Sequence, residues 1–267
     1  MKKQRMFQSK VKVLFNKRVK ESFFHCSLSA SSIAKEAMPG QFINVKVADG
    51  SEPLLRRPFS IHRISKDKVE ILYEAVGPGT KILSQRKPGE YLDVIGPLGN
   101  GFDLKSCSNE LAIIVAGGMG VAPLAFLAEK LAGFKNRGAK CKIIIGAKSK
   151  NHVLCEKEFK DLDYDVTIAT DDGSRGFKGR VTDLLVRILR ENGKAGKQET
   201  IYACGPRPML KEISRISRAH KIRAQISLEE HMACGIGACL GCVVNTVDGY
   251  KRVCKEGPVF GADEIIW

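Results

Sequence analysis

Four of the nine cysteines in this 267-residue chain, Cys234, Cys239, Cys242 and Cys254, stand at the spacing C-x4-C-x2-C-x11-C, which constrains the fold more than any other feature. The first three leave room only for a tight loop. Gly235, Gly237, Ala238 and Gly241 lie between them and let the backbone close around a central group with its N–H groups turned towards the sulfurs. Three closely spaced thiolates with a distant fourth form the ligand pattern of a 2Fe–2S cluster. A structural zinc site is an alternative for any four cysteines, although zinc sites more often pair C-x2-C on both sides; four unligated thiols are the third reading. Cys26, Cys107, Cys141, Cys155 and Cys204 are scattered; packing is the default role of the first four, and Cys204 reads equally as a reactive thiol or a small buried one. The opening MKKQRMFQSKVKVLF is broken by charge before an apolar signal core can form, which points to a cytoplasmic chain with reduced thiols.

The rest of the chain changes rhythm once. Up to about residue 100, short β-type runs alternate with turn signals: VKVLFNKRV from Val11, SFFHCSLS from Ser22, FINVKVA from Phe42, PFSIHRI from Pro58, KVEILYEAV from Lys68 and EYLDVI from Glu90. Strands at this spacing predict an antiparallel barrel or sandwich. From Leu111, strand-like runs alternate with helical patterns over about 121–134, 154–160, 181–190 and 208–220, which predicts a parallel sheet covered by helices. The expected architecture is therefore α+β and multidomain: a barrel over 1–106, an α/β domain over 107–222 and a small cluster domain over 223–267.

Composition excludes several classes. With 27% charged and 43% hydrophobic residues the chain is globular and not disordered. The uncharged stretch from Leu111 to Ala128 reaches the lower limit of a membrane span. Gly117, Gly118, Gly120 and Pro123 divide it into strand, turn and helix, so no membrane segment is expected. A net charge of +15 invites nucleic acid, but the basic residues are dispersed, aromatics are 7%, and no binding motif is present.

Four further motifs can hold ligands. Ala116-Gly117-Gly118-Met119-Gly120 follows an apolar strand and opens a helix, where free N–H groups and the helix dipole receive a pyrophosphate. Pro123 stands where a third glycine would complete a dinucleotide fingerprint, so a plain glycine turn stays open as a reading. Arg56-Arg57-Pro58-Phe59-Ser60 offers a bidentate phosphate contact beside a hydroxyl, or a solvated arginine pair leading into an edge strand. Gly77-Pro78-Gly79-Thr80 opens a short helix, and Tyr202-Ala203-Cys204-Gly205-Pro206 closes a strand at the edge where open α/β sheets bind ligands.

In this order, RRPFS, GPGT, GPLGNGF, AGGMGVAPL, YACGPRPML and CGIGACLGC resemble the ferredoxin-reductase superfamily. Within it, they resemble the electron-transfer subunits of type B dihydroorotate dehydrogenases. The resemblance runs from about Val11 to Phe260 and implies FAD, a 2Fe–2S cluster and NAD as cofactors. It implies flavin contacts from Arg57, Pro58, Phe59 and Ser60, from Leu72, Tyr73 and Glu74, and from Gly79 and Thr80. Glu74 stands where the family pattern implies arginine. For the nicotinamide nucleotide it implies Gly117, Gly118, Gly120, Cys204, Gly205 and Pro206, and for the cluster Cys234, Cys239, Cys242 and Cys254, with no acid–base catalytic residue.

The implied partner is an FMN-containing dihydroorotate dehydrogenase catalytic subunit, in a heterotetramer of two copies of each chain, with electrons passing to NAD+ in pyrimidine (UMP) biosynthesis. The FAD and 2Fe–2S subunit of an NADH-dependent ferredoxin:NADP oxidoreductase, or a sulfide dehydrogenase, is the alternative; that group implies aspartate at the position of Cys234. A redox sensor without turnover is the third reading. Lys148 and Lys150 after the second parallel strand can meet a 2′-phosphate, whereas Asp171 and Asp172 after the third can meet a ribose.

Overall fold

The computed structural model describes residues 5–104, 111–133, 140–192 and 199–267; Cys107 and the expected boundary at residue 106 lie outside them. The chain groups into two compact units. One comprises Met1–Gly101, Glu229–Val244 and Tyr250–Pro258, and the other Phe102–Leu228, Asn245–Gly249 and Val259–Trp267.

In the first unit, β1 (Phe7–Lys20), β2 (Phe23–Ser29), β3 (Phe42–Lys46), β4 (Arg57–Ser60), β5 (Arg63–Ser65), β6 (Lys68–Glu74) and β7 (Tyr91–Leu98) form one antiparallel sheet. The strand order is β4-β3-β7-β1-β2-β6-β5. Alternation sets which face is inside: on β1, Val11 and Val13 are buried while Lys10 and Lys12 are exposed. Register shifts on β1 at Val13/Phe15 and Arg18/Lys20 add local twist. The sheet curls until Phe59 on β4 meets Tyr73 on β6, ring centroids 5.5 Å apart. This is the partly closed barrel that the strand rhythm predicts. The PFSIHRI run is not one strand. Ile61 N–H still donates to Gln41, but the next amide, His62 N–H, donates to Glu70 at 2.8 Å, so the chain crosses from one side of the sheet to the other and resumes as β5. Two short helices complete the unit, α1 (Ser31–Glu36) and α2 (Pro78–Ser84).

The second unit contains β8 (Leu111–Gly117), α3 (Val121–Ala132), β9 (Lys140–Ala147), α4 (Glu156–Asp161), β10 (Asp165–Thr170), β11 (Phe177–Lys178), α5 (Val181–Asn192), β12 (Glu199–Cys204), α6 (Arg207–His220) and β13 (Arg223–Ser227). A hairpin follows, β14 (Val243–Thr246) with β15 (Gly249–Arg252), then β16 (Val259–Gly261). The sheet order is β11-β10-β9-β8-β12-β13-β16, parallel except for β16, which runs antiparallel to β13. Every residue of β8 is buried, as a strand covered on both faces requires. The uncharged stretch at 111–128 is β8, one turn over Gly118–Gly120 and the start of α3. Among the described residues no helix is long and apolar enough to cross a membrane.

Within the segment 223–267, residues 229–244 and 250–258 group with the barrel and the remainder with the parallel sheet.

Candidate functional site

The cluster loop lies in the first unit. Its cysteines are positioned by backbone conformation: Gly235 and Gly237 adopt φ of +69° and +84°, and Leu240 follows at +58°. These left-handed turns direct amides inward. Ala238 N–H and Cys239 N–H reach Cys234 Sγ at 3.3 and 3.4 Å, and Cys254 N–H reaches Cys242 Sγ at 3.4 Å. Val253 N–H donates to the Cys242 carbonyl at 2.9 Å, bringing the distant fourth cysteine back to the first three. Cys242 and Cys254 are buried, Cys234 is half-buried and Cys239 is exposed.

Burial works to raise the Cys234 thiol, but the N–H groups of Ile236, Cys239 and Ala238 outweigh it and draw it down to about 6. Burial, together with the adjacent Cys242 thiol, pushes Cys254 up to about 12. Four convergent thiols, backbone donors aimed at sulfur and glycines that permit close approach fit a 2Fe–2S cluster.

Side chains that sequence reasoning missed hold this loop in place. Asn44 on β3, 1% exposed, donates to the Cys234 carbonyl at 3.2 Å. Asn100 donates to the Glu256 carbonyl at 2.9 Å. Arg252 reaches the Gly237 carbonyl at 2.6 Å and pairs with Glu256. The Arg252–Glu256 spacing beside the last cysteine was a readable signal; for Asn44 and Asn100 the sequence holds none.

The two arginines of the RRPFS motif separate in role. Arg56 pairs with Asp93 at 3.0 Å and donates to its carbonyl at 2.8 Å, a structural clamp. Arg57 lies across the start of α2, so that a Cβ built on Gly79 would stand 2.7 Å from Arg57 Nε. A guanidinium against a helix start places like charges together, an arrangement that suits an anion such as the FAD pyrophosphate. Two motifs distant in sequence thus converge at Arg57 and Gly79.

Thr80 serves the turn: its hydroxyl accepts from the Val76 and Gly77 amides and donates to the Gly77 carbonyl. Tyr73, 2% exposed, is packed between Phe24 and Phe59, and its hydroxyl donates to Asn16 at 3.0 Å. Leu72 is buried beside it, and Glu74 accepts from Ser22 at 3.0 Å. Pro58 and Ser60 face Asn44 and Phe42 in the ladder with β3.

In the second unit, β8 and β12 are parallel neighbours with Ala116 opposite Cys204. The two loops therefore leave the sheet side by side at its switch point. A Cβ on Gly120 would stand 2.1 Å from the Cys204 carbonyl oxygen, one on Gly205 3.0 Å from Gly117 Cα, and one on Gly117 2.5 Å from Met209 Sδ and 3.0 Å from Pro206. Gly118 differs: its φ is +53° and open space lies above it, leaving its backbone accessible to a phosphate. Cys204 is 1% exposed.

The candidate selectivity residues share one edge, because Asp171 N–H donates to Ala147 and Asp172 N–H to Lys148. Asp172 accepts from the Ser174 hydroxyl and amide at 2.6 and 2.9 Å, which hold its carboxyl below the usual range.

Comparisons with known proteins place relatives beside this fold. Residues 229–266 match the model of the iron–sulfur cluster binding domain of dihydroorotate dehydrogenase B, and residues 114–215 that of the oxidoreductase NAD-binding domain. The dihydroorotate dehydrogenase B (NAD(+)) electron transfer subunit of Desulforamulus reducens is 40% identical over 98% of this chain and 99% of that one. Its counterpart from Geobacillus thermodenitrificans is 40% identical over 97% and 98%. Among solved structures, an NADH-dependent reduced ferredoxin-NADP oxidoreductase superposes with a TM-score of 0.82 at 27% identity, over 97% of this chain and 90% of that one. A ferredoxin NADP+ reductase from Neisseria gonorrhoeae with bound FAD and NADP shares the fold, with a TM-score of 0.67 at 16% identity over 80% and 91%.

Proposed function

Since the chain belongs to the family of dihydroorotate dehydrogenase B electron transfer subunits, we propose that it carries electrons from a catalytic partner subunit, which oxidises dihydroorotate at FMN, to NAD+. The chain is an oxidoreductase subunit with iron–sulfur and nicotinamide-binding segments. The observation that carries the reading is the presence in one chain of the four-thiol loop and the open Gly118 turn beside Cys204-Gly205-Pro206. When bound, FAD exchanges a hydride with nicotinamide and single electrons with the cluster, chemistry that belongs to the cofactors.

The protein's part is to hold and orient. Cys234, Cys239, Cys242 and Cys254 would ligate the cluster. Arg57 would neutralise the FAD pyrophosphate at the Gly79 and Thr80 turn, with Pro58, Phe59, Ser60, Leu72, Tyr73 and Glu74 shaping the flavin site. Gly117, Gly118, Gly120, Cys204, Gly205 and Pro206 would shape the nicotinamide nucleotide site, with NAD as the nucleotide because of the family and Asp171 and Asp172 at the edge where a ribose would lie. An assembly of two copies of each subunit, a cytoplasmic location and a place in UMP biosynthesis belong to the same proposal. The structural likeness to the ferredoxin-NADP oxidoreductase supports the second reading, against which Cys234 stands as a fourth thiol ligand.

The test is an anaerobic visible spectrum of the purified chain before and after adding NADH. Flavin and cluster bands that both bleach are expected. A protein that stays colourless after flavin and iron–sulfide reconstitution would overturn the proposal.

A further inference from the structure

The cluster ligands come from two pieces of chain, the loop of Cys234, Cys239 and Cys242 and the turn that carries Cys254. Within the first unit the Arg252 side chain spans both pieces. Arg252 Nη1 donates to the Gly237 carbonyl at 2.6 Å, midway between Cys234 and Cys239. Its Nε and Nη2 engage both oxygens of Glu256 at 3.0 and 2.5 Å. Glu256 also accepts the Arg252 backbone N–H at 2.8 Å.

The Arg252 carbonyl in turn receives the amides of Lys255, Glu256 and Gly257 at 3.1, 2.9 and 3.2 Å, closing the turn around Cys254. Arg252 and Glu256 are half-buried, with side chains 24% and 32% exposed, so the guanidinium is only partly screened. Arg252 stands two residues before Cys254 and is fastened to the Gly237 carbonyl between Cys234 and Cys239, which places its charge at the cluster loop.

Resting on the cluster reading above, we propose that Arg252 is a positioning residue for the 2Fe–2S cluster, locking the two ligand segments together and setting the cluster's reduction potential through its charge, with Glu256 as the counter-charge that moderates it. The planar fork matters for the lock, because it makes contacts in different directions at once, which lysine cannot. The charge matters for the potential, because a reduced cluster is more negative and a nearby cation favours it.

These two roles separate by substitution in the full chain, read by a redox titration of the cluster's EPR signal and by the rate of cluster bleaching under an iron chelator. Arg252→Gln is expected to lower the potential and to speed cluster loss roughly tenfold or more, the usual consequence of removing a group that orients metal ligands. Arg252→Lys should restore the potential but not the retention. Glu256→Gln should raise the potential, a shift that a merely structural role would not produce.

Flavin content near the wild-type level shows that each variant is folded. If Arg252→Gln is folded and keeps the wild-type potential and bleaching rate, or if Glu256→Gln lowers the potential, the inference is overturned while the cluster reading stands. If wild-type protein shows no cluster EPR signal after reconstitution and reduction, the cluster reading fails and the inference falls with it.

Discussion

Gly120 and Gly205 in the nucleotide loop sit where backbone meets backbone, whereas Gly235 and Gly237 in the cluster loop sit where the backbone turns left-handed. A Cβ on Gly120 would collide with main-chain atoms of Cys204, and one on Gly205 would press on the Gly117 backbone as well as on the Met209 side chain. In the cluster loop the cost is first conformational, and the nearest atoms belong to side chains, the Asn44 amide beside Gly235 and the Lys255 stem beside Gly237. A glycine-rich motif therefore has no single meaning. One loop needs glycine to bring two strand ends together, the other to turn amides towards sulfur, and within these two loops Gly118 combines a positive φ with open space.

This difference can be broken by substitution. The largest effect is expected for Gly120→Ala, where the new methyl would lie 2.1 Å from the Cys204 carbonyl oxygen. Backbone cannot yield as a side chain does, and a loss of about 3–5 kcal/mol is expected, measured as a large fall in melting temperature. An unchanged melting temperature would show that the two strand ends separate easily.

Arg57→Ala probes a place where a side chain fills the space over a glycine. It should weaken FAD binding by about 1.5–3 kcal/mol, roughly tenfold to a hundredfold, with little change in fold. Titration of the apoprotein with FAD measures this.

Gly235→Ala should cost about 1–2 kcal/mol for its left-handed φ and speed cluster loss to chelator, leaving nicotinamide binding intact. Gly118→Ala should cost about 1 kcal/mol in stability yet raise the KM for NADH, because the added methyl enters the open space. Equal effects of Gly118→Ala and Gly120→Ala on melting would erase the distinction.

The smallest effect concerns the barrel's acid limb. Burial works to raise Glu70, but the His25 hydrogen bond at 2.8 Å and the charges of His25, Arg63 and His62 outweigh it, so its carboxyl stays below its ordinary 4.5. A depressed carboxylate stabilises the fold above the unfolded value and loses that contribution as pH falls through the folded value. Stability should thus decline below about pH 4.5, and Glu70→Gln should flatten that decline in pH-dependent melting.

Much of the architecture was legible because local pattern and global fold agree. The continuous apolar run of β8 announced a strand covered on both faces, and Pro78 with Thr80 announced the start of α2. Other features were not. The break between β4 and β5 depends on His62 finding Glu70 across the sheet, and the division of 223–267 depends on which core each piece joins. Residue type alone did not separate Arg56 from Arg57, since Asp93 lies far along the chain; the family resemblance pointed to Arg57.

The sequence alone determined the donor chemistry: four cysteines at fixed spacing, glycines that free the backbone, and the order of the anion-binding motifs. Spacing and residue type are local, and they restrict what short stretches of chain can do. Only the tertiary structure decided which arginine meets the start of α2, which glycines are forced by close packing, and which side chains fasten the cluster loop. Those outcomes depend on residues distant in sequence coming within hydrogen-bond or van der Waals range, and only the folded barrel and sheet bring them there.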